Sequence, residues 1–407
     1  MTAPLPTVRY AFYAFIATIP FETIDIGLER GVFSVSRISG YLFIVAAFLQ
    51  PQVCFKRPPA IAWWFGAYVG AYLGSGFLHG MASAPLFATR LMTYTQLLVL
   101  FWISCNLFQS RELVKGTFLA FGCACVVLSV LQVSGYSARI VAGTRVSALA
   151  ENPNTLGTVL ALGSLALLGL GYGREASARD LRGLAWLCFG MLATGLILTG
   201  SRGAMLGVFA GLLCLAMKKG SSVSKMKAAM VSLLAIIVLV TASYENETMR
   251  ARWERAFGEG HLSRREAILP EAWTMFTEKP MIGCGPVQNI LELGRRFGEP
   301  TLDPHNAYLW VLTETGLFGG TPFFIGLVLC WRAAWRARAG PESVLPMALL
   351  ACLFIVNMSD TTLNRKTFWL VLAYAAAAGA SRATVAVPRW SDVRPEWPIP
   401  ATRYTSA

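Results

Sequence analysis

Apolar runs of about 17 to 25 residues recur along the chain as far as residue 380, separated by short connections rich in Arg, Lys, Gly and Pro. That length suits an α-helix crossing a hydrocarbon core. Twelve candidates, at 8–27, 33–50, 60–79, 86–108, 114–134, 155–172, 182–199, 203–217, 228–244, 306–330, 343–359 and 366–380, predict an all-α polytopic membrane protein with about 12 transmembrane helices. One connection, roughly 245–305, is too long to be a simple link. Its Trp253, Phe257, Trp273, Met275, Phe276 and Met281 favour a folded cap lying against the membrane. Within it, 264–278 reads as an amphipathic helix stopped by Pro280, with Gly283 and Gly285 in a turn. The chain therefore divides into 1–244 with nine helices, the loop or cap 245–305, 306–380 with three helices, and a tail 381–407. No internal repeat is visible.

Composition supports this reading. Charged residues make up 14% of the 407, against roughly 25% in soluble domains. The net charge of +13 would suggest nucleic acid in a soluble protein. Here the basic residues lie between apolar runs, so membrane orientation explains them better and no nucleic-acid partner is expected. With the N-terminus inside, the cytoplasmic connections and tail hold 19 Lys and Arg, against 6 in the short connections of the other face. Both termini are then cytoplasmic and 245–305 lies outside. The nine cysteines fall almost entirely within apolar runs and read as packing residues. Pro20, Phe21 and Glu22 follow the first run where a signal-peptide cleavage site would need small residues. The tail from about 388, rich in proline and poor in apolar residues, reads as disordered.

Three segments at the outer face carry chemistry. In Asp303-Pro304-His305-Asn306-Ala307-Tyr308-Leu309, Asp at the N-cap and Pro at the first helical position predict a helix start with His305 in the first turn. The positive helix end disfavours imidazolium there, so His305 should stay neutral and able to accept a proton. A histidine merely hydrogen-bonded at the interface is the alternative. In Thr199-Gly200-Ser201-Arg202-Gly203-Ala204, Ser201 can cap the eighth helix, which leaves Arg202 where the dipole disfavours a cation. Arg202 either snorkels to lipid phosphates or meets a phosphate-bearing ligand suited to its planar fork. Ser263-Arg264-Arg265-Glu266 precedes the amphipathic helix, either as a solvated loop or as part of a site. Asn154, with Arg145, Asn306 and Tyr308, could hydrogen-bond a sugar, although Asn152-Pro153-Asn154 would serve equally as a helix cap.

No Asp-x-Asp, Walker loop or His-Glu-x-x-His occurs, so neither a metal site nor a cofactor is expected. A neutral histidine beside arginines suits proton abstraction from a hydroxyl as a pyrophosphate departs.

The order of the Ser-Arg-Gly turn, Arg265 ahead of Pro280 and Gly-Cys-Gly-Pro, then Pro-His-Asn-Ala-Tyr-Leu and Glu314-Thr-Gly-Leu-Phe-Gly, resembles the O-antigen ligase and polymerase superfamily. The resemblance implies a glycosyltransferase of the bacterial inner membrane with a periplasmic site. Such an enzyme moves a glycan from undecaprenyl pyrophosphate to lipid A–core, metal-independently and with inversion. By resemblance, His305 is the essential histidine, and Arg202 and Arg265 bind the pyrophosphate, with the neighbouring Arg264 as the other candidate. The partners implied are the lipid-linked donor, the lipid A–core acceptor and membrane lipids. A repeat-unit polymerase shares the donor. A multi-span transporter would fit the composition too, but it predicts intramembrane ionisable residues and paired broken helices, and the sequence makes neither evident.

Overall fold

The computed structural model describes residues 4–24, 34–81, 83–136, 138–141, 144–171, 177–217, 222–339 and 344–380. The expected tail 381–407 and the basic residues Arg30, Arg174, Lys218 and Lys219 lie outside them. The first half of the chain forms α1 (Pro6–Thr18), α2 (Val35–Phe48), α3 (Pro51–Cys54), α4 (Ala60–Leu78), α5 (Pro85–Leu107) and α6 (Arg111–Val133). A hairpin of β1 (Ala138–Val141) and β2 (Arg145–Ala148) follows, then α7 (Pro153–Gly171), α8 (Ser177–Leu198), α9 (Arg202–Ala216) and α10 (Ser222–Glu245). The long connection holds α11 (Glu247–Gly258), α12 (Arg265–Glu278) and α13 (Gln288–Phe297), and the chain returns through α14 (Ala307–Ala337), α15 (Leu345–Val356) and α16 (Lys366–Ala380).

Each of the twelve apolar runs contains a helix. Among the described residues five are long and apolar enough to cross a membrane: α5, α6, α7, α10 from Lys225, and α14. The chain is an all-α membrane protein with almost no sheet. The run 8–27 is helical only to Thr18, because Pro20 cannot continue the hydrogen-bond ladder and turns Ile19–Phe21 into a 3-10 segment. The hairpin is an addition to the expected pattern, with Ile140 paired to Val146. All nine cysteines are free, and most are buried as packing residues.

Aromatic side chains knit the bundle together. Phe65, Phe101, Phe323 and Trp369 meet edge to face across α4, α5, α14 and α16, an arrangement worth about 0.5–1.5 kcal/mol per pair beyond area burial. The cap has a small core of its own, Ile268, Met275, Cys284 and Leu293.

The cap is fastened to the bundle where α14 breaks. Gly316 leaves the helical region with φ 58° and ψ −157°, conformations open essentially only to glycine. The backbone groups released there bond to the loop after α12. Cys284 N–H donates to Thr313 O at 2.7 Å and Gly285 N–H to Glu314 O at 3.1 Å, while Leu317 and Phe318 N–H donate to Pro280 O and Met281 O at 2.8 and 2.9 Å. The Glu314 carboxylate, fully buried, accepts from Val287 N–H and from Trp310 Nε1–H, each at 2.9 Å. Gly-Cys-Gly-Pro and Glu-Thr-Gly-Leu-Phe-Gly are thus partners of one another. The single break in α14 and the buried Glu314 beside it had no signature in the sequence.

A Cβ at Gly316 would stand 2.4 Å from the Met281 carbonyl carbon. Gly316→Ala should therefore destabilise the detergent-solubilised protein by about 2 kcal/mol or more, lowering its thermal midpoint. Gly70→Ala, on α4 with nothing within 4 Å, should leave the midpoint unchanged or slightly raised.

Candidate functional site

Four arginines from four elements converge at the cap end of the bundle: Arg145 on β2, Arg202 at the start of α9, Arg252 on α11 and Arg265 at the start of α12. Local structure aims each of them. Ser201 caps α9, its Oγ accepting from Ala204 N–H, so Arg202 lies in the first turn. Ser263 and Arg264 both adopt left-handed φ, 61° and 67°, immediately before α12. Consecutive non-glycine residues in that region are strained. This turn sends the adjacent arginines different ways. Arg265 enters the cluster, while Arg264 pairs with Glu299 at 2.7 Å and lies over the Phe297 ring. Gly200, at φ 63°, leaves room for two of the side chains, because a Cβ there would come within 3.3 Å of both Arg145 and Arg252.

The guanidinium groups are held by neutral acceptors. Arg145 donates to Thr199 O at 2.8 Å and to Asn154 Oδ1 at 2.6 Å. Arg202 donates to Arg252 O at 2.8 Å, and both Arg202 and Arg252 reach Ser263 Oγ at 3.4 Å. Arg265 donates to Ser359 O at 2.8 Å and Leu262 O at 3.3 Å. Nε of Arg252 and of Arg265 is buried without a partner. Among the described residues none of the four forms an ion pair with a carboxylate. Burial, then the charges of Arg265 and Arg202, push the Arg145 pKa down to about 10. Burial and the other arginines likewise push Arg252 down to about 10. Both remain cationic at neutral pH, so the site presents several positive charges to whatever enters.

His305 stands beside this cluster, in a setting that corrects the expected one. The helix starts at Ala307, with Asn306 as N-cap accepting from Tyr308 and Leu309 N–H at 3.0 Å. Asp303 is not the cap. Its Oδ1 accepts the His305 N–H at 2.6 Å and the Thr361 hydroxyl at 3.0 Å, which ties the segment to the loop between α15 and α16. His305 adopts φ 49° and precedes the cap, so it lies outside the first turn; its half-buried ring places Nδ1 3.9 Å from Asp303 Oδ1. The side-chain cap of Asn306 outcompetes the Asp-Pro start because it satisfies two otherwise unbonded helix N–H groups at once.

The loop 357–365 joins the two halves of the site. Ser359 O accepts from Arg265, Met358 O accepts from Asn306 Nδ2 at 3.2 Å, and Asn357 O from Ala307 N–H at 2.9 Å. Its Asp360 is half-buried, with Oδ2 buried and unpartnered, and desolvation raises its pKa. Asp360 and Arg252 escaped the sequence reading. Asp360 lies beyond the recognisable motifs, and Arg252 was one of several cations in a charged loop; the sole hint was its i, i+3 spacing from Arg255 on a capped helix. Of the other candidates, Asn154 and Arg145 are brought together in the cluster. Asn306 is occupied as a cap, and Tyr308 donates to Phe354 O at 2.9 Å between α14 and α15. Among the described residues no three His, Cys, Asp or Glu side chains converge.

Residues 187–324 match the family described as O-Antigen ligase. This match supports a member of the O-antigen ligase and polymerase superfamily. Members of that superfamily are membrane glycosyltransferase-like enzymes that use lipid-linked glycans. The matched segment contains Arg202, Arg252, Arg264, Arg265, His305 and the Gly316 break, whereas Arg145, Asn154 and Asp360 lie outside it. No curated protein matches the chain. A solved chain described as "Structural coordination of polymerization and crosslinking by a peptidoglycan synthase complex" is 18% identical, with a TM-score of 0.39 over 78% of this chain and 96% of that one.

Removing one of several mutually repelling cations relieves repulsion within the cluster. Arg252→Gln should leave the thermal midpoint equal to or above wild type, while the midpoint rise produced by inorganic pyrophosphate shrinks. A lower midpoint with an undiminished pyrophosphate effect would make Arg252 a structural residue.

Proposed function

We propose that this protein is an O-antigen ligase of the bacterial inner membrane, transferring a glycan from undecaprenyl pyrophosphate to lipid A–core. Both termini are cytoplasmic and 245–305 faces the periplasm, with the active site on that side. The observation that carries this reading is the set of four arginines, bonded only to neutral groups, standing beside His305. Such a set is short of negative charge, and a pyrophosphate supplies it through bidentate contacts to planar forks.

In the proposed reaction the acceptor hydroxyl oxygen bonds to the anomeric carbon as that carbon's bond to the phosphate oxygen breaks. His305 takes the hydroxyl proton, and the electron pair leaves with the pyrophosphate, stabilised by Arg202 and Arg265 with Arg145 and Arg252 beside them. Attack from the side opposite the leaving group inverts the anomeric configuration. Asp303, tied to Thr361, holds the His305 backbone in its strained turn. The buried Glu314 does not support a transporter, because both carboxylate oxygens are engaged in fixed hydrogen bonds.

The test is transfer by purified protein from lipid-linked donor to lipid A–core. His305→Ala should retain donor binding and lose about 10²- to 10⁴-fold in rate. Near-wild-type turnover, or a product that retains the donor's anomeric configuration, would refute His305 as base in a single displacement. Growth of the donor glycan without transfer to lipid A–core would identify a polymerase instead.

Two further outcomes belong to the same assay. Arg202→Lys and Arg265→Lys keep the charge but lose the fork, and should impair transfer with little change in thermal midpoint. Excess chelator should leave wild-type turnover intact; loss of activity restored by magnesium or manganese would contradict the metal-independent mechanism.

A further inference from the structure

A cavity distinct from the arginine cluster lies between α2 and α5, with a volume of about 400 Å³. α2 packs on α1 and leaves a gap to α5. The lining changes character along the helices. Arg37 lies in the first turn of α2 and Arg90 in the second turn of α5, with Arg365 and Lys366 at the start of α16. Phe43, Leu97 and Leu100 line it deeper. From Arg90 to Leu100 is about 15 Å along the helix axis, so a charged mouth leads into an apolar channel.

The charges at the mouth are not equivalent. Lys366 Nζ is bonded to Glu22 and to Ser36 Oγ, and Arg365 pairs with Glu151 at 3.1 Å and Glu22 at 3.6 Å. Arg90 instead lays its guanidinium over the Trp310 ring, 4.7 Å from the centroid, and among the described residues forms neither an ion pair nor a hydrogen bond. Its hydrogen-bond donors are unused, and its charge lies within electrostatic reach of the buried Glu314. The ion pairs of Glu22, Arg365 and Glu151 form a partition: Arg365 lines the cavity on one side, and on the other Asp360 lies within electrostatic reach of both Arg365 and His305.

We infer that this cavity seats the acceptor, a phosphorylated and acylated glycolipid, with its phosphate on Arg90 and an acyl chain running between α2 and α5 towards Leu100. The inference rests on the transfer reaction proposed above, which must hold two lipids at once. The donor's pyrophosphate takes the arginine cluster. A site for the second lipid then needs a cation, an apolar slot and a link to His305, and the cavity combines a guanidinium that makes no hydrogen bond among the described residues with a slot whose mouth, at Arg365, is coupled through Asp360 to His305.

The experiment uses the full chain in nanodiscs and measures direct binding of lipid A–core, the KM for acceptor and the KM for donor. Thr93→Trp fills the cavity from α5, Arg90→Gln removes the open cation, and Met92→Trp, on an exposed part of α5 outside the lining, is the control. Thr93→Trp and Arg90→Gln should each weaken lipid A–core binding and raise the acceptor KM tenfold or more, with donor KM unchanged and the control like wild type. Thermal midpoints verify folding, and Thr93→Trp decides the matter if Arg90→Gln loses the Trp310 contact and unfolds. Undiminished lipid A–core binding in the folded variants overturns the inference. It is also overturned if phosphatidylglycerol competes equally with lipid A–core, for the cavity is then a general anionic-lipid site. If wild-type protein binds lipid A–core in this cavity and transfers nothing to it, the ligase reading fails while the binding site stands.

Discussion

Four guanidinium groups gathered with, among the described residues, no carboxylate ion-paired to any of them impose the main constraint on this structure. Cations taken partly out of water are costly unless each finds oriented dipoles, and like charges nearby add to that cost. The fold meets the demand with backbone carbonyls from three loops, those of Thr199, Leu262 and Ser359, and with Asn154 and Ser263. Strain collects in the same places. Leu149, Ala150, Ser263, Arg264 and His305 all adopt left-handed φ in segments that surround the cluster. Such strain persists only where surrounding contacts over-determine it. Here it places the carbonyls against the guanidinium groups.

The cap depends on the bundle for its own position. Its small apolar core would hold three short helices only weakly, and the backbone exchange across the α14 break supplies the remaining attachment. Glu314 completes that attachment by receiving a cap N–H on one oxygen and an indole N–H on the other. A conspicuous sequence motif can therefore be scaffold and not chemistry. The glutamate and glycines of this one hold the turn through which α12, and with it Arg265, is positioned.

What the sequence disclosed follows from the range of the forces involved. The helices were legible because a span needs a long apolar run, and such runs can be counted. Arg202 and Arg265 were legible because short motifs flank them. His305 was singled out, but its placement was misjudged: Asp303-Pro304 and Asn306 are both acceptable helix starts, and the double cap by Asn306, with Asp303 drawn off to Thr361, decides between them. Arg252 and Asp360 were hidden for a related reason. Their significance comes from neighbours some 50 to 215 residues away in the chain, such as Arg202 for the one and Arg265 or Arg145 for the other. The hairpin escaped because four-residue strands give no periodic signal.

The interruption at Gly316 also governs how α14 fits a bilayer. An unbroken helix of 31 residues would be about 46 Å long, well beyond a hydrocarbon core of about 30 Å, and would have to tilt steeply or thicken the membrane around it. Broken where it is, the helix consists of a stub of nine residues ahead of Gly316 and a rod of 21 after it, the rod alone being about 31 Å. The rod can then match the membrane upright. The stub, free of that length requirement, can take the angle that the hydrogen bonds to the cap prescribe, so that the orientation of the cap end is uncoupled from bilayer thickness.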